Sequence, residues 1–82
     1  MLGNELRKAR EEAGLSQEKL AFAAELDRSY VSMLENGNKS PTIDVLFRIC
    51  DALKIPASEL IARVERSRGA KAPGRATKQR RQ

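Results

Sequence analysis

The sequence predicts an all-α fold, and three observations support this fold class. Apolar residues recur at helical spacing in five segments of the first four-fifths of the chain. No segment alternates between apolar and polar residues as a half-buried strand does. Ser, Asp, Thr, Gly or Pro flanks the segments, and these residues commonly begin or end helices. We therefore expect one compact domain of five short helices over residues 1–65, followed by a basic tail over residues 66–82.

The first two helices are predicted over residues 4–13 and 17–24. Gly14 is a natural C-terminal stop for the first helix, and Ser16 is a preferred N-cap for the second. Phe22 projects away from the apolar side of its helix, and we expect it to pack against the first helix, with a position on a binding surface as the alternative. The residues expected to face inward are Leu6, Ala9, Ala13, Leu20, Ala21 and Ala24.

The third helix is predicted over residues 28–35, with Asp27 as its N-cap. At 100° per residue its side chains divide into two chemically different faces. One face is apolar, whereas the other offers a cation, two hydroxyls and a thioether, which are groups that can contact base edges. An ordinary amphipathic helix with a solvated polar face would show the same pattern. The apolar face consists of Tyr30, Val31 and Leu34, and the opposite face consists of Arg28, Ser29, Ser32 and Met33.

The fourth and fifth helices are predicted over residues 43–53 and 57–66, after a polar loop. Thr42 is a suitable N-cap for the fourth helix, and Pro56 separates the two helices. The apolar face of the fourth helix is expected to contain Ile43, Leu46, Phe47, Cys50 and Leu53, and that of the fifth Leu60, Ile61 and Val64.

Length and composition exclude several function classes. A chain of 82 residues buries too small a core to favour a catalytic cleft. It has no histidine and one cysteine, which argues against the common metal sites and any internal disulfide. No apolar run approaches the ~20 residues that span a bilayer, and no signal peptide is visible. We expect a cytoplasmic, soluble protein with no cofactor, no metal, no membrane contact and no small-molecule substrate.

The net charge of +5 is unevenly distributed along the chain. Residues 66–82 carry seven basic residues and no acidic one, whereas residues 1–65 carry nine basic and eleven acidic residues, a net charge of −2. A prediction of nucleic-acid binding therefore cannot rest on the overall charge. The tail is expected to be disordered, and it could add affinity for DNA through counterion release or serve only to solubilise the protein.

Turn, cap and core residues then occur together in a recognisable order. They are Leu15-Ser16-Gln17, Leu20-Ala21, Leu26, Val31, Leu34, Glu35-Asn36-Gly37 and Ser40-Pro41-Thr42. This series resembles the lambda repressor and Cro family (the XRE type) of helix-turn-helix DNA-binding domains, over about residues 4–65. Within that family, residues 26–32 are similar to the recognition region of restriction–modification controller proteins. The resemblance implies a five-helix domain with its helix-turn-helix at helices two and three.

One position departs from the family pattern. Proteins of this kind often have glycine in the turn between the second and third helices, where this chain has Glu25. If the backbone there requires a positive φ, a residue other than glycine costs on the order of 1 kcal/mol.

The resemblance implies roles for individual residues. The third helix is expected to lie in the major groove, with Arg28 bidentate to guanine and Met33 near a thymine methyl. The alternatives are that Arg28 pairs with Glu25 or Asp27, and that Met33 fills a gap beside the turn. The expected base contacts are Arg28, Ser29, Ser32 and Met33, and the expected phosphate contacts are Ser16, Gln17, Asn36, Lys39, Ser40 and Arg10.

Two further structural expectations follow from the resemblance and from the apolar pattern. Arg10 and Glu35 are expected to form an ion pair between the first and third helices, the alternative being two unrelated exposed charges. A homodimer is expected to form mainly through the fifth helix and the end of the fourth, at Leu60, Ile61 and Val64. Alternatively, these three residues only close the core of the monomer.

We therefore expect a homodimeric, sequence-specific transcriptional regulator that binds an operator in double-stranded DNA through the major groove. An antitoxin-like or partner-binding module of the same fold is the alternative. An enzyme is disfavoured, because the candidate carboxylates are scattered over helix surfaces at Glu11, Glu12 and Glu18.

Overall fold

A computed structural model describes residues 2–68 of the chain. Over this range it contains five α-helices and no strand, which confirms the predicted all-α fold class. The helices are α1 (Leu2–Glu12), α2 (Gln17–Ala24), α3 (Arg28–Asn36), α4 (Ile43–Leu53) and α5 (Ala57–Ser67). The helix α5 continues into the first two residues of the predicted tail, and residues 69–82 of that tail lie outside the described residues.

The helix starts follow the predicted capping residues. The backbone N–H of Lys19 donates to Oγ of Ser16 at 3.0 Å, and the N–H of Val45 donates to Oγ1 of Thr42 at 3.1 Å. Asp27 occupies the N-cap position of α3 with an extended backbone, but its side chain makes no capping hydrogen bond. Two of the three predicted caps therefore satisfy a backbone donor of the first helical turn.

The helix α1 begins two residues earlier than predicted, and Gly3 explains how it packs. A Cβ atom at Gly3 would lie 2.7 Å from the carbonyl oxygen of Leu34, which is closer than real Cβ contacts. The absence of a side chain therefore allows the first turn of α1 to approach the last turn of α3. The sequence pattern missed this contact, because a glycine near a chain end gives no helical signal.

The five helices enclose one hydrophobic core. Helix α1 packs against α3 and α5, α2 packs against α3 and α4, and α4 also contacts α5. None of the helices within residues 2–68 has the length and hydropathy needed to cross a membrane. The buried apolar residues are Leu6, Ala9, Leu20, Ala21, Ala24, Val31, Leu34, Leu46, Ile49, Cys50, Leu53 and Leu60.

The predicted inward face of α4 and the expected packing of Phe22 need correction, whereas the predicted inward residues of α2 are buried. In α4 the core stripe runs through Leu46, Ile49 and Leu53, whereas Ile43 and Phe47 are 66% and 53% exposed. In helix α2, Phe22 is 87% exposed and does not pack against α1 as expected. The predicted apolar face of α4 was too broad, because apolar residues on its edge could not be separated from those at its centre by spacing alone. Ala13, which follows α1, is also exposed.

The turn between α2 and α3 does require a positive φ at Glu25, the position where related proteins often have glycine. Glu25 lies in the left-handed region, with φ 61° and ψ 46°. Lys54, which follows α4, is the other described residue apart from glycine with positive φ.

The substitution Glu25→Gly is expected to stabilise the domain by about 1 kcal/mol, because glycine adopts this conformation without steric cost. Urea unfolding followed by circular dichroism measures the change in the free energy of unfolding. The matched control is Glu18→Gly, an exposed position inside α2, where glycine is expected to destabilise by about 1 kcal/mol. If both substitutions destabilise the domain equally, the turn carries no strain at Glu25.

Candidate nucleic-acid interface

Helix α3 separates its side chains as the sequence predicts. Val31 and Leu34 are buried, whereas Arg28 and Ser29 are exposed and Ser32 and Met33 are half-buried. All four predicted base-contact residues are therefore accessible on the outside of α3. Tyr30 is half-buried and packs against the core from the other side of the helix.

Arg28 is the first residue of α3 and the cation best placed to project from its N-terminal turn. Within residues 2–68 it forms no ion pair, so the alternative pairing with Glu25 or Asp27 does not occur. A guanidinium that is exposed and unpaired can donate two parallel hydrogen bonds to a planar acceptor pair such as guanine O6 and N7.

The last turn of α3 carries a buried carboxylate, that of Glu35. The side chain of Glu35 is 0% exposed, and Arg10 donates to it from Nε at 2.6 Å and from Nη2 at 3.1 Å. The third donor of Arg10, Nη1, contacts the carbonyl oxygen of Leu15 at 2.8 Å. The hydrogen bonds to Glu35 raise the pKa of Arg10 above its ordinary value. The structure therefore brings Arg10 and Glu35 together in the expected ion pair.

The same carboxylate also holds α2. Nε2 of Gln17 donates to Oε1 of Glu35 at 3.0 Å, and Arg7 lies at its edge, with Nε 3.8 Å from the same oxygen. The side chain of Glu35 thus fixes α3 against both α1 and α2. Sequence reasoning placed Gln17 at a phosphate and missed this hydrogen bond, since nothing in the local pattern distinguishes the two roles.

These contacts narrow the predicted phosphate-binding set. The side chain of Arg10 is 11% exposed and its guanidinium is bonded inside the protein, so this geometry does not support a second role for Arg10 at a phosphate. The side-chain amide of Gln17 uses one of its two N–H groups on Glu35, so the other N–H and the backbone N–H at the N-terminus of α2 are the donors that Gln17 can offer to an anion. Ser16, Asn36, Lys39 and Ser40 are exposed around the ends of α2 and α3, where the prediction requires them.

The three residues predicted to form the dimer interface, Leu60, Ile61 and Val64, differ in burial. Leu60 is 0% exposed in the monomer, so its assignment to a dimer interface is wrong, and it closes the core as the alternative proposed. Ile61 is 43% exposed and Val64 is half-buried. Inward-facing Leu60 anchors α5, and Ile61 lies on the outer edge of its apolar stripe.

Arg48 is a residue of this region that sequence reasoning missed. Its Nε donates to the carbonyl oxygen of Ala24 at 3.1 Å, and its Nη2 donates to that of Glu25 at 2.6 Å. The contact joins α4 to residues more than twenty positions earlier, so no local signal in the sequence could have revealed it.

The fold and this surface together define a helix-turn-helix DNA-binding domain. Comparison with known proteins supports that class: the helix-turn-helix family pattern matches residues 6–60, and the chain belongs to this family. No cluster of metal-ligating side chains occurs within residues 2–68.

The chain is similar to restriction–modification controllers and to other regulators. It is 42% identical over 65 residues to the control protein C.MunI of Mycoplasma sp, covering 78% of this chain and 88% of that protein. The crystal structure of the controller protein C.AhdI from Aeromonas hydrophila matches with a TM-score of 0.70 and 42% identity, covering 72% of this chain and 89% of that one. The regulator SinR, solved in complex with DNA, matches with a TM-score of 0.71 and 29% identity, covering 74% and 98%. The predicted family resemblance is confirmed, and the chain is a DNA-binding transcriptional regulator of the helix-turn-helix type.

Proposed function

We propose that the chain regulates transcription as a homodimer that binds a two-fold symmetric operator through the major groove. The observation that carries this proposal is the outward polar face of α3, which the Arg10–Glu35–Gln17 cluster holds against α1 and α2. In this arrangement Arg28 and Ser29 reach base edges first, and Ser32 and Met33 follow along the groove. The structure of SinR with DNA supports duplex DNA as the partner.

A second copy of the chain is the proposed partner for the apolar side chains that α4 and α5 leave exposed or half-buried. Ile43 and Phe47 project from one side of α4, and Ile61 and Val64 from α5. Burying them between two copies would gain about 25 cal/mol for each Å² of apolar surface removed from water. A dimer also doubles the DNA contacts, because a two-fold axis in the protein matches a palindromic site.

Selection of binding sites from random duplex DNA tests the proposal. We expect an inverted repeat whose half-sites are centred about 10 base pairs, or a multiple of this, apart. Selection of a single half-site would contradict the homodimer, and enrichment of no sequence would contradict sequence-specific binding.

The substitution Phe47→Glu is expected to convert the dimer to a monomer, because it places a charge in the centre of the proposed apolar contact. Sedimentation at micromolar concentration measures the change. Phe22→Glu is the matched control, since Phe22 is also an exposed phenylalanine but lies on α2, and the dimer is expected to persist. Loss of the dimer in both variants, or in neither, would contradict the proposed interface.

We also infer that the chain acts by binding rather than by catalysis. Glu12 forms an ion pair with Arg63, with Oε1 2.9 Å from Nη2. Glu11 and Glu18 are exposed on different helices, so these three carboxylates form no organised acid–base pair. The cytoplasmic location stays a prediction from the sequence.

A further inference from the structure

The turn that joins α2 to α3 is closed by hydrogen bonds from two directions. Within the turn, the N–H of Glu25 donates to the carbonyl of Phe22 at 3.2 Å, and the N–H of Leu26 donates to that of Ala21 at 2.8 Å. This pattern is a Schellman motif with Glu25 at the left-handed position. It satisfies two carbonyls at the end of α2 and leaves those of Ala24 and Glu25 without a partner from the turn itself.

Arg48 supplies these missing partners from another helix. Its two donors reach the carbonyl oxygens of Ala24 and Glu25, and its positive charge lies at the negative end of the α2 dipole. Arg48 lies one position before Ile49, which is fully buried, so its backbone is fixed by the core. The guanidinium therefore connects the turn to a helix that is anchored in the core.

The direction of α3 depends on this turn. Only three residues, 25–27, separate the end of α2 from the start of α3. The first of them, Glu25, adopts the left-handed conformation, which is strained for a residue other than glycine. Any other backbone conformation at Glu25 would change the direction of α3. A restraint on the two carbonyls that flank this residue is thus a restraint on the angle between α2 and α3.

We propose that Arg48 is a positioning residue for DNA recognition, which acts through the turn and not by touching DNA. This proposal rests on the function proposed above. Loss of the restraint is expected to leave the domain folded but to broaden the orientation of α3, so that Arg28 and Ser29 meet base edges with poorer geometry. Contacts to phosphate tolerate such a change better, because they depend less on direction than bidentate base contacts do.

The test uses the full chain and the variant Arg48→Met, which keeps an apolar stem and removes the donors. The probes are a duplex selected by the wild-type chain from a random library and a scrambled duplex of the same composition. At a temperature where both proteins are fully folded, we expect Arg48→Met to bind the selected duplex about tenfold more weakly and the scrambled duplex unchanged. Arg48→Lys, which keeps the charge, is expected to recover part of the loss.

A double variant separates positioning from stability. Glu25→Gly in the Arg48→Met background relieves the strain at the turn and is expected to restore the melting temperature, but not the affinity for the selected duplex. Recovery of affinity together with stability would overturn the proposal. Equal weakening on both duplexes, with a shallower salt dependence, would assign Arg48 to a phosphate contact and overturn it as well.

A measurement on the free protein tests the positioning role of Arg48 independently of DNA binding. Residual dipolar couplings on the free protein report the angle between α2 and α3, and we expect this angle to change or to average over a wider range in Arg48→Met. An unchanged angle would overturn the positioning role even if the variant bound DNA weakly. If the wild-type chain selects no duplex, the proposed function fails, and the couplings still decide the role of Arg48.

Discussion

The substitution Arg10→Met is expected to lower the free energy of unfolding by about 3–5 kcal/mol, the largest loss predicted for a single side chain of this protein. Glu35 is fully buried and has Arg10 as its closest cation, so the variant leaves a carboxylate in the core with one amide hydrogen bond from Gln17. Domains of this size have a total stability on the order of 4–12 kcal/mol. The loss is therefore a large fraction of the total stability of the domain.

Urea unfolding followed by circular dichroism at low temperature measures this loss. The matched control is Arg7→Met, because Arg7 lies 3.8 Å from the same carboxylate but its side chain is 45% exposed. We expect the control to cost less than about 1 kcal/mol, as is usual for exposed ion pairs. The double variant Arg10→Met/Glu35→Met removes both charges and should recover part of the stability. Equal losses for Arg7→Met and Arg10→Met would show that the buried pair has no special role.

The substitution Arg28→Ala is expected to weaken binding to the selected operator by about 10- to 100-fold and to relax the base preference at one position of each half-site. The physical reason is the loss of a bidentate contact to guanine from an arginine that is free of other partners within the described residues. Binding-site selection with the variant, compared with the wild-type selection, measures the change in preference.

Lys39→Ala is the matched control for Arg28→Ala. Lys39 is an exposed cation beyond the end of α3, where the prediction places a phosphate contact. Its loss is expected to weaken binding to all duplexes by a similar factor and to reduce the slope of the salt dependence by about 1, with the base preference unchanged. If Arg28→Ala behaves as Lys39→Ala is expected to, Arg28 contacts phosphate and not a base.

The sequence predicted those features that depend on neighbouring residues. Ser16 and Thr42 cap their helices in the structure, because an N-cap hydrogen bond spans only three residues. The two faces of α3 were also predicted, since a 3.6-residue period is a local property. The pair Arg10–Glu35 was expected from the family resemblance alone, as nothing in the spacing of the two residues brings them together.

Features that depend on packing between helices were missed. Ile43 and Phe47 have the spacing of core residues, yet the packing of α4 on α2 and α5 turns them outward and buries Ile49. The contacts of Arg48 and Gly3 join segments that are distant in the chain, and they depend on the final arrangement of the helices. Leu60 was assigned to a dimer because the size of the core to be closed cannot be judged from an amphipathic pattern.

The close approach at Gly3 has a practical consequence for protein engineering. A peptide fused to this end of the chain, such as a purification tag, would emerge beside the last turn of α3, the helix proposed to meet DNA. A purification tag is therefore better attached at the opposite terminus, and every mutant library should keep Gly3 fixed.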